Sequence, residues 1–220
     1  MHSTIKNLIN INKQINSKIA NLDSHKIEPK VIAVSKTFKM DNILPLIEHG
    51  HKHYGENKVQ EAVEKWTDIK KTNQDLKLHL IGKLQSNKVK FLPGIFDFIH
   101  SLDNEKLAKK ISDEQKSKNW YPKIFIQLNI GNETQKGGIH VEQLENFVKF
   151  CEELKLNIIG LMCIPPINED PEKSFLRMNY LNKKMNFNEL SMGMSADYLS
   201  AIEYKSTYLR IGSEIFGERV

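Results

Sequence analysis

Short apolar segments alternate with segments of helical spacing along the whole chain. The apolar segments begin near residues 31, 52, 78, 98, 123, 157, 189 and 208, and a helical pattern or, after the last, a turn follows each one. Eight strand–helix units are the number that closes a parallel barrel, and 220 residues lie near the lower size limit of that fold. The sequence therefore predicts an α/β fold, a (β/α)8 barrel of the TIM type that occupies residues 1–220 as one domain.

An additional helix is predicted before the first strand. Its apolar stripe consists of Ile5, Leu8, Ile11, Ile15, Ile19 and Leu22. This spacing predicts an amphipathic helix within residues 1–25 that packs on the barrel. A doubly wound open sheet is the alternative fold. The first predicted helix after a strand lacks a GxGxxG motif, which argues against a dinucleotide-binding version of that sheet.

The basic residues do not indicate a nucleic-acid partner, although the net charge is +5. They are spread among glutamates over the polar stretches, as on solvated helix faces. Lysine accounts for 29 of the 32 basic residues, whereas proteins that read bases draw more on the rigid guanidinium of arginine. We therefore expect no nucleic-acid partner.

The two cysteines and the amino terminus predict a cytoplasmic protein. Cys151 and Cys163 lie in apolar surroundings without CxxC spacing, as expected of core residues in a reducing compartment. Lys6, Lys13 and Lys18 interrupt the apolar residues near the amino terminus, so a signal-peptide core is absent there. The longest apolar stretch is too short to cross a bilayer, and we expect no membrane partner.

Lys36 closes the apolar run Val31-Ile32-Ala33-Val34-Ser35-Lys36, which predicts a buried strand over residues 31–36. Lysine seldom ends such a strand unless its amine faces a cavity, because burying an ammonium group without a partner is costly. In parallel α/β folds, the cavities that hold chemistry lie at the carboxyl ends of the strands. A partly desolvated amine at such a place has a lowered pKa and can condense with an aldehyde. The alternative is that Lys36 simply extends into solvent.

Ser195, Gly212 and Ser213 follow the seventh and eighth predicted strands, where barrels of this type favour a phosphate site. Ser195 stands where it could cap the amino end of the seventh helix, which is predicted to start by Ala196. Gly212 would let the backbone approach a ligand closely. Each residue alone could be a plain cap or turn residue. Their occurrence at both favoured positions predicts a phosphate cradle.

One ligand fits both a lysine after the first strand and a phosphate cradle after the seventh and eighth, namely pyridoxal 5′-phosphate (PLP). Its aldehyde would meet Lys36, and Arg210 at the end of the eighth strand would face its pyridine nitrogen. Asn57, at the junction after the second strand, lies on the same predicted rim. The predicted cofactor-binding residues are Lys36, Asn57, Ser195, Arg210, Gly212 and Ser213.

Eight segments between Val31 and Arg219 carry unusual residue orders. They are AVSK (33–36), YGENKVQE (54–61), HLIGKLQSNK (79–88), IHSLD (99–103), QLNIGNETQKGG (127–138), GLM (160–162), LSMGMSADY (190–198) and RIGSEIFGER (210–219). In these segments the chain resembles the pyridoxal phosphate homeostasis protein family, relatives of the barrel domain of alanine racemase. The resemblance implies a monomeric or weakly dimeric (β/α)8 barrel with PLP bound to Lys36 as an imine. It also implies a carrier or buffer of PLP that has no established turnover and that could supply apo-enzymes.

The residues themselves also favour a carrier over an enzyme, and we predict no catalytic residue. A guanidinium cannot accept a proton, so Arg210 would keep the pyridine nitrogen unprotonated and make the ring a poorer electron sink. A racemase also needs a second acid/base, which an additional domain supplies in alanine racemase, and we expect none in a chain that reaches only to Val220. Tyr198, Tyr204 and Tyr208 are expected to pack on helices or strands. A PLP-dependent amino-acid racemase or related enzyme remains the alternative.

Two further groups of residues invite functional interpretations. His49, His51 and His53 are closely spaced, but they straddle a predicted helix end and strand, so we expect no metal site. Lys136 could contact the cofactor phosphate, although a solvated loop lysine is the favoured interpretation.

Overall fold

Eight parallel strands form a closed barrel in which each strand pairs with the next and β8 pairs with β1. The computed structural model describes residues 1–22, 28–131, 133 and 135–218. The strands are β1 Lys30–Val34, β2 His53–Glu56, β3 Lys77–Leu80, β4 Phe98–Leu102, β5 Lys123–Leu128, β6 Ile158–Cys163, β7 Glu189–Met194 and β8 Tyr208–Ile211. The predicted (β/α)8 barrel is confirmed, and the open sheet is excluded.

The helices surround the barrel. They are α1 Ser3–Ala20, α2 Met40–Glu48, α3 Val59–Thr72, α4 Glu105–Lys118, α5 Leu144–Glu153, α6 Pro171–Lys184, α7 Tyr198–Glu203 and α8 Ser213–Phe216, with 3₁₀ helices at Ser86–Phe91 and Val141–Gln143. None of the helices in the described part of the chain is long and apolar enough to cross a bilayer.

Helix α1 is the predicted extra helix and precedes the first strand. It buries Leu8, Ile11 and Ile15 and packs against α2, α7 and α8. The prediction covered residues 1–25, of which 23–25 lie outside the described residues. The apolar stripe thus predicted which face of α1 is buried.

Two apolar clusters stabilise the fold. The larger one fills the space between the strands and the helices. The smaller one lies inside the barrel and consists of Ile32, Phe98, Phe125, Met162 and Tyr208. Because alternate residues of a strand face the same side, the residues two positions beyond an interior residue also face inward. This period takes the interior face of β8 from Tyr208 to Arg210, at the carboxyl end of the barrel.

Strand β1 ends two residues earlier than predicted. Its last residue is Val34, and Lys36 lies in a turn in which Thr37 adopts a left-handed φ of 69°. Ser35 still donates its N–H to the carbonyl of Gly55, so the ladder contact with β2 continues to that residue. The apolar run predicted the strand correctly, but the turn that follows it depends on a residue far along the chain. The carboxylate of Glu61 accepts the N–H of Thr37 at 2.6 Å.

Candidate functional site

A cavity of about 390 Å³ opens among the segments that follow β1, β2, β7 and β8. These strands are neighbours because the barrel closes between β8 and β1. All six residues predicted from the sequence line this cavity: Lys36, Asn57, Ser195, Arg210, Gly212 and Ser213. The structure thus brings the whole predicted set together. The role of each as a cofactor ligand stays a prediction.

A buried carboxylate fixes the backbone immediately before Lys36. Glu56 is fully buried, and its Oε1 accepts hydrogen bonds from Ser35 Oγ at 2.7 Å, Lys65 Nζ at 2.9 Å and Trp66 Nε1 at 3.0 Å. Lys65 also donates to the carbonyl of Ser35 at 3.0 Å. Buried charges are tolerated when they are paired and hydrogen-bonded in this way. The network therefore holds Ser35, the residue before Lys36, through both its hydroxyl and its backbone carbonyl.

Asn57 is positioned by close contact between the loops after β2 and β3. A Cβ atom placed on Gly82 would lie 2.3 Å from the carbonyl oxygen of Asn57 and 2.7 Å from its Cα. Only a residue without a side chain permits this approach. Gly82 therefore determines where the backbone of Asn57 lies in the cavity wall.

Ser195 is not the cap of the seventh helix, which corrects the prediction from the sequence. Helix α7 begins at Tyr198, and the residue before it is Asp197. Asp197 folds its carboxylate back to accept the N–H of Met194 at 2.6 Å, and this turn delays the start of the helix beyond the predicted Ala196. The hydroxyl of Ser195 instead accepts the N–H of Gly212 at 3.3 Å.

Gly212 is not required by the conformation or the packing of the chain. Its φ is −117°, which any residue adopts, and a Cβ would come no closer than 3.4 Å to the side chain of Val34. That distance is an ordinary van der Waals contact. Ser213 follows as the first residue of α8, where backbone N–H groups lack partners within the helix. The fold therefore does not require a glycine at position 212.

Arg210 is buried, and two hydrogen bonds orient its guanidinium. It donates to Ser191 Oγ at 2.6 Å and to the carbonyl of Cys163 at 2.8 Å. Burial lowers the pKa of Arg210 from its usual value, but an arginine stays protonated in proteins. The cavity therefore has a fixed donor on the side of β8.

The apolar part of the cavity wall was not predicted. It includes Phe38, Ile81, Ile164 and Met194. Phe38 stacks on Phe216 with ring centroids 4.9 Å apart. Ile81 and Met194 directly precede Gly82 and Ser195 at the strand ends, so their positions in the sequence do indicate that they lie on the same rim. Apolar residues at strand ends are harder to recognise as site residues than polar ones.

Lys136 lies in the loop after β5 with its side chain 24% exposed, and whether it contacts the cofactor stays a prediction. Its amine donates to the carbonyl of Pro165 at 3.0 Å and pairs with the carboxylate of Glu133 at 2.6 Å. It lines a second cavity of about 320 Å³ that shares Asn57, Ile81 and Ile164 with the first. The contacts restrain the amine close to the predicted site.

The three clustered histidines do not converge on one point. His51 Nε2 contacts the carbonyl oxygen of His53 at 2.9 Å, whereas the ring of His53 turns into the barrel toward His79. In the described part of the chain, no group of three or more histidine, cysteine or acidic side chains is arranged to hold a metal ion. Cys151 and Cys163 are buried free thiols, as predicted of core residues, and burial raises the pKa of each to about 12.

The fold and the cavity define a (β/α)8-barrel protein with a cavity at the carboxyl ends of its strands. The family model described as "Alanine racemase, N-terminal domain" matches residues 12–220. Curated relatives are the pyridoxal phosphate homeostasis proteins of Aquifex aeolicus, 40% identical over 86% of this chain and 87% of the relative, and of Vibrio cholerae, 36% identical over 100% and 98%. The chain belongs to the pyridoxal phosphate homeostasis protein family, within the wider family of alanine racemase N-terminal domains.

Solved structures agree with this assignment. PipY from Synechococcus elongatus PCC7942, solved with PLP bound, is 31% identical with a TM-score of 0.79 and covers 92% of this chain and 100% of its own. An alanine racemase from Clostridium difficile reaches a TM-score of 0.67 at 14% identity and covers 94% of this chain and 56% of its own. The second likeness shows a shared fold only.

Proposed function

We propose that the cavity binds PLP and that the protein carries or buffers this cofactor. The observation that carries the proposal is the convergence of six residues, chosen for PLP chemistry, on one cavity. The volume of about 390 Å³ lies within the range of roughly 300–1,000 Å³ typical of small-molecule sites. The PLP in the PipY structure and the names of the curated relatives support the same ligand.

Each residue has a distinct role in this proposal. The amine of Lys36 would hold the cofactor through its aldehyde carbon as an imine, with loss of a water molecule. The hydroxyls of Ser195 and Ser213 and the backbone near Gly212 bind the phosphate, and Asn57 contributes an amide to the same wall. Arg210 would face the pyridine nitrogen and keep it unprotonated, because a guanidinium cannot accept a proton. When bound, PLP supplies an electron sink for carbanions, and an unprotonated ring nitrogen makes that sink weaker than a pyridinium would.

The side chains of the cavity favour a carrier over a catalyst. Among the described residues that line it, Lys36 and Arg210 are the only charged ones, and the wall contains no tyrosine, histidine, cysteine or carboxylate. Racemisation needs an acid and a base on opposite faces of the substrate. A wall with one amine and one guanidinium suits storage and release of the aldehyde. Apo-enzymes that use PLP would be the acceptors, with this chain acting in the cytoplasm as a monomer or weak homodimer.

The test of the proposal is the position of the covalent adduct. Purified protein loaded with PLP should show a visible imine band, and borohydride should remove the band and fix the cofactor to Lys36. Lys36→Ala should lose the band, whereas Lys39→Ala should keep it, because Lys39 is exposed and lies outside the cavity. An adduct on another lysine, or a band that persists in Lys36→Ala, would contradict the assignment.

Racemisation is the rival function, because the fold is shared with alanine racemase. Exchange of the α-hydrogen for solvent deuterium, measured over a panel of L- and D-amino acids, separates the two. The carrier proposal predicts exchange no faster than with free PLP. Rapid exchange with turnover for any one amino acid would replace it.

A further inference from the structure

A continuous chain of hydrogen bonds crosses the interior of the barrel. His53 Nδ1 lies 2.9 Å from His79 Nε2, and His79 Nδ1 lies 2.9 Å from His100 Nε2. His100 Nδ1 lies 2.9 Å from Ser191 Oγ, which also contacts the guanidinium of Arg210. Strands β2, β3, β4, β7 and β8 each contribute one side chain. The hydrogen bonds run from His53, near the amino ends of the strands, to Arg210. We call the four residues His53, His79, His100 and Ser191 the relay.

Arg210 determines the direction of every bond in the relay. A guanidinium can only donate, so Ser191 Oγ accepts from Arg210 and has its own proton left to donate. A serine oxygen has two lone pairs, so it could also accept from His100, but His100 Nδ1 is the one acceptor near this hydroxyl among the described residues, and the reverse direction would leave a buried hydroxyl proton without an acceptor. His100 must then carry its hydrogen on Nε2 and donate it to His79, and His79 in turn donates from Nε2 to His53. The geometry thus predicts the same neutral Nε2–H tautomer for all three imidazoles.

The surroundings keep the three imidazoles neutral. Burial holds the pKa values of His79 and His100 well below the usual value, and the positive charge of Arg210 acts on His100 in the same direction. Burial also lowers the pKa of His53 to about 4, aided by the nearby charges of Lys30 and Lys77. A protonated imidazole would have two donors and no acceptor, and it would break the chain. The lowered pKa values therefore agree with the neutral imidazoles that the direction of the hydrogen bonds requires.

The hydrogen bonds from His53 through the relay to Arg210 connect two different cavities. Arg210 lines the candidate cofactor cavity at the carboxyl ends of the strands. His53 lines a cavity of about 620 Å³ at their amino ends, with Tyr208 and Phe98 in the same wall. Ser191, His79 and His100 are fully buried between them. The residues of the relay are thus too deep to touch a ligand in the cofactor cavity, and they can act on it only through Arg210.

We propose that His53, His79, His100 and Ser191 are positioning residues, which fix the guanidinium of Arg210 in the cofactor cavity through a one-directional chain of neutral imidazoles. The inference rests on the proposed function only for the part that concerns the cofactor. The direction of the chain is a property of the protein without ligand. The two parts can therefore be tested separately.

The first test needs no variant and no cofactor. In protein labelled with ¹⁵N-histidine at neutral pH, the imidazole nitrogen shifts of His53, His79 and His100 should all report protonated Nε2 and unprotonated Nδ1. A proton on Nδ1 of His100 would mean that the chain runs the other way, and a charged ring at His79 or His100 would mean that it is broken. Either result would overturn the proposal even if PLP binds as expected.

The second test measures positioning. Ser191→Ala should weaken PLP binding about threefold to tenfold, the loss expected for one hydrogen bond, and should change the absorbance band of the bound cofactor. Ser206→Ala is the matched control, because Ser206 is an equally buried serine whose hydroxyl bonds only backbone carbonyls and the N–H of Met192. It should leave the affinity within twofold. Ser191→Thr, which keeps a hydroxyl, should restore the parent band and affinity.

The outcomes distinguish this inference from the proposed function. If the parent forms no imine, the proposed function fails, and the tautomers still decide the direction of the relay. If the parent forms an imine and Ser191→Ala behaves like Ser206→Ala, the positioning role is wrong. Ser191→Cys, which is nearly isosteric and forms weaker hydrogen bonds, replaces Ser191→Ala in the same comparison if that variant does not fold.

Discussion

The hydroxyl of Ser195 accepts the backbone N–H of Gly212 at 3.3 Å, and this bond ties the loop after β7 to the loop after β8. Because Ser195 uses its oxygen as an acceptor here, its own proton is available to an anion in the cavity. The same bond holds Gly212 against Val34 of β1. The wall in which we propose the phosphate site therefore joins segments from three strands through one hydrogen bond and one packing contact.

Ser195→Ala should weaken cofactor retention and leave the fold nearly unchanged. A hydrogen bond from a hydroxyl to a phosphate dianion contributes about 1.5–3 kcal/mol, which corresponds to roughly tenfold to a hundredfold in dissociation constant. Since Ser195 does not cap α7, the melting temperature of the apo-protein should hardly move. PLP titration and thermal unfolding of the same preparations measure both quantities. Unchanged affinity with a lowered melting temperature would move the phosphate site elsewhere.

Gly82→Ala should lower the stability of the fold, whereas Gly212→Ala should weaken PLP binding. At Gly82 the new Cβ would overlap the carbonyl of Asn57, and we expect a loss of about 1–3 kcal/mol in the free energy of unfolding. At Gly212 the backbone and the contact with Val34 tolerate a Cβ, so stability should be kept while the narrower cavity weakens PLP binding. Urea unfolding and PLP titration of the pair test this contrast. Equal stabilities would show that the loops after β2 and β3 can separate without cost.

Glu56→Gln should destabilise the protein by about 3 kcal/mol, because it leaves the amine of Lys65 buried without its closest carboxylate. The turn that carries Lys36 should loosen as well, since an uncharged amide oxygen accepts from the hydroxyl of Ser35 more weakly than the carboxylate does. Asp68→Asn serves as the control, as it removes one partner of an exposed pair with Lys71, and it should leave unfolding unchanged. Urea denaturation of the apo-proteins measures the difference. A value for Glu56→Gln near that of the control would mean that the network contributes little.

Acid should weaken the fold well above the pH at which carboxylates titrate. Burial lowers the pKa values of His51 and His53 from 6.5 to about 4, and those of His79 and His100 fall well below 6.5. Between about pH 6.5 and pH 4, the unfolded chain therefore binds more protons than the folded one, so stability decreases as the pH falls through this range. Each histidine contributes at most about 1.4 kcal/mol per pH unit.

Urea unfolding at neutral pH and near pH 5 measures this dependence. His53→Phe should reduce the slope, because it removes one of the four titrating groups and leaves the other three. An equal stability at both pH values would contradict the neutrality of the buried rings on which the relay depends.

The fold was predictable because parallel strands buried on both faces leave near-continuous apolar runs, which alternate here with helical patterns. The rim residues followed from the ends of those runs, and all six line one cavity. Errors arose where a side chain distant in sequence, or a local turn, determined the backbone. The carboxylate of Glu61 holds the turn at Thr37, and Asp197 delays α7 and so removes Ser195 from its predicted cap.

The relay could not be predicted from spacing alone. His79 and His100 are separated by 21 residues, and Ser191 lies a further 91 along the chain. Their contacts depend on the register of the strands, which pairs Gly55 with His79, and on which face of each strand points inward. His49, His51 and His53 are neighbours in the sequence, but the partner of the His53 ring in the relay is His79 on the adjacent strand.

The pairing of β1 with β8 has a consequence for the order of events during synthesis. The six predicted cofactor-binding residues lie in or after the first two strands and the last two, so all strands through β8 must be synthesised before the two groups can meet. A nascent chain that has folded through β6 carries Lys36 and Asn57 but lacks the serines and the arginine opposite them. Binding of PLP at full affinity would then indicate that the barrel has closed. A chain truncated before β7 would be unable to retain PLP.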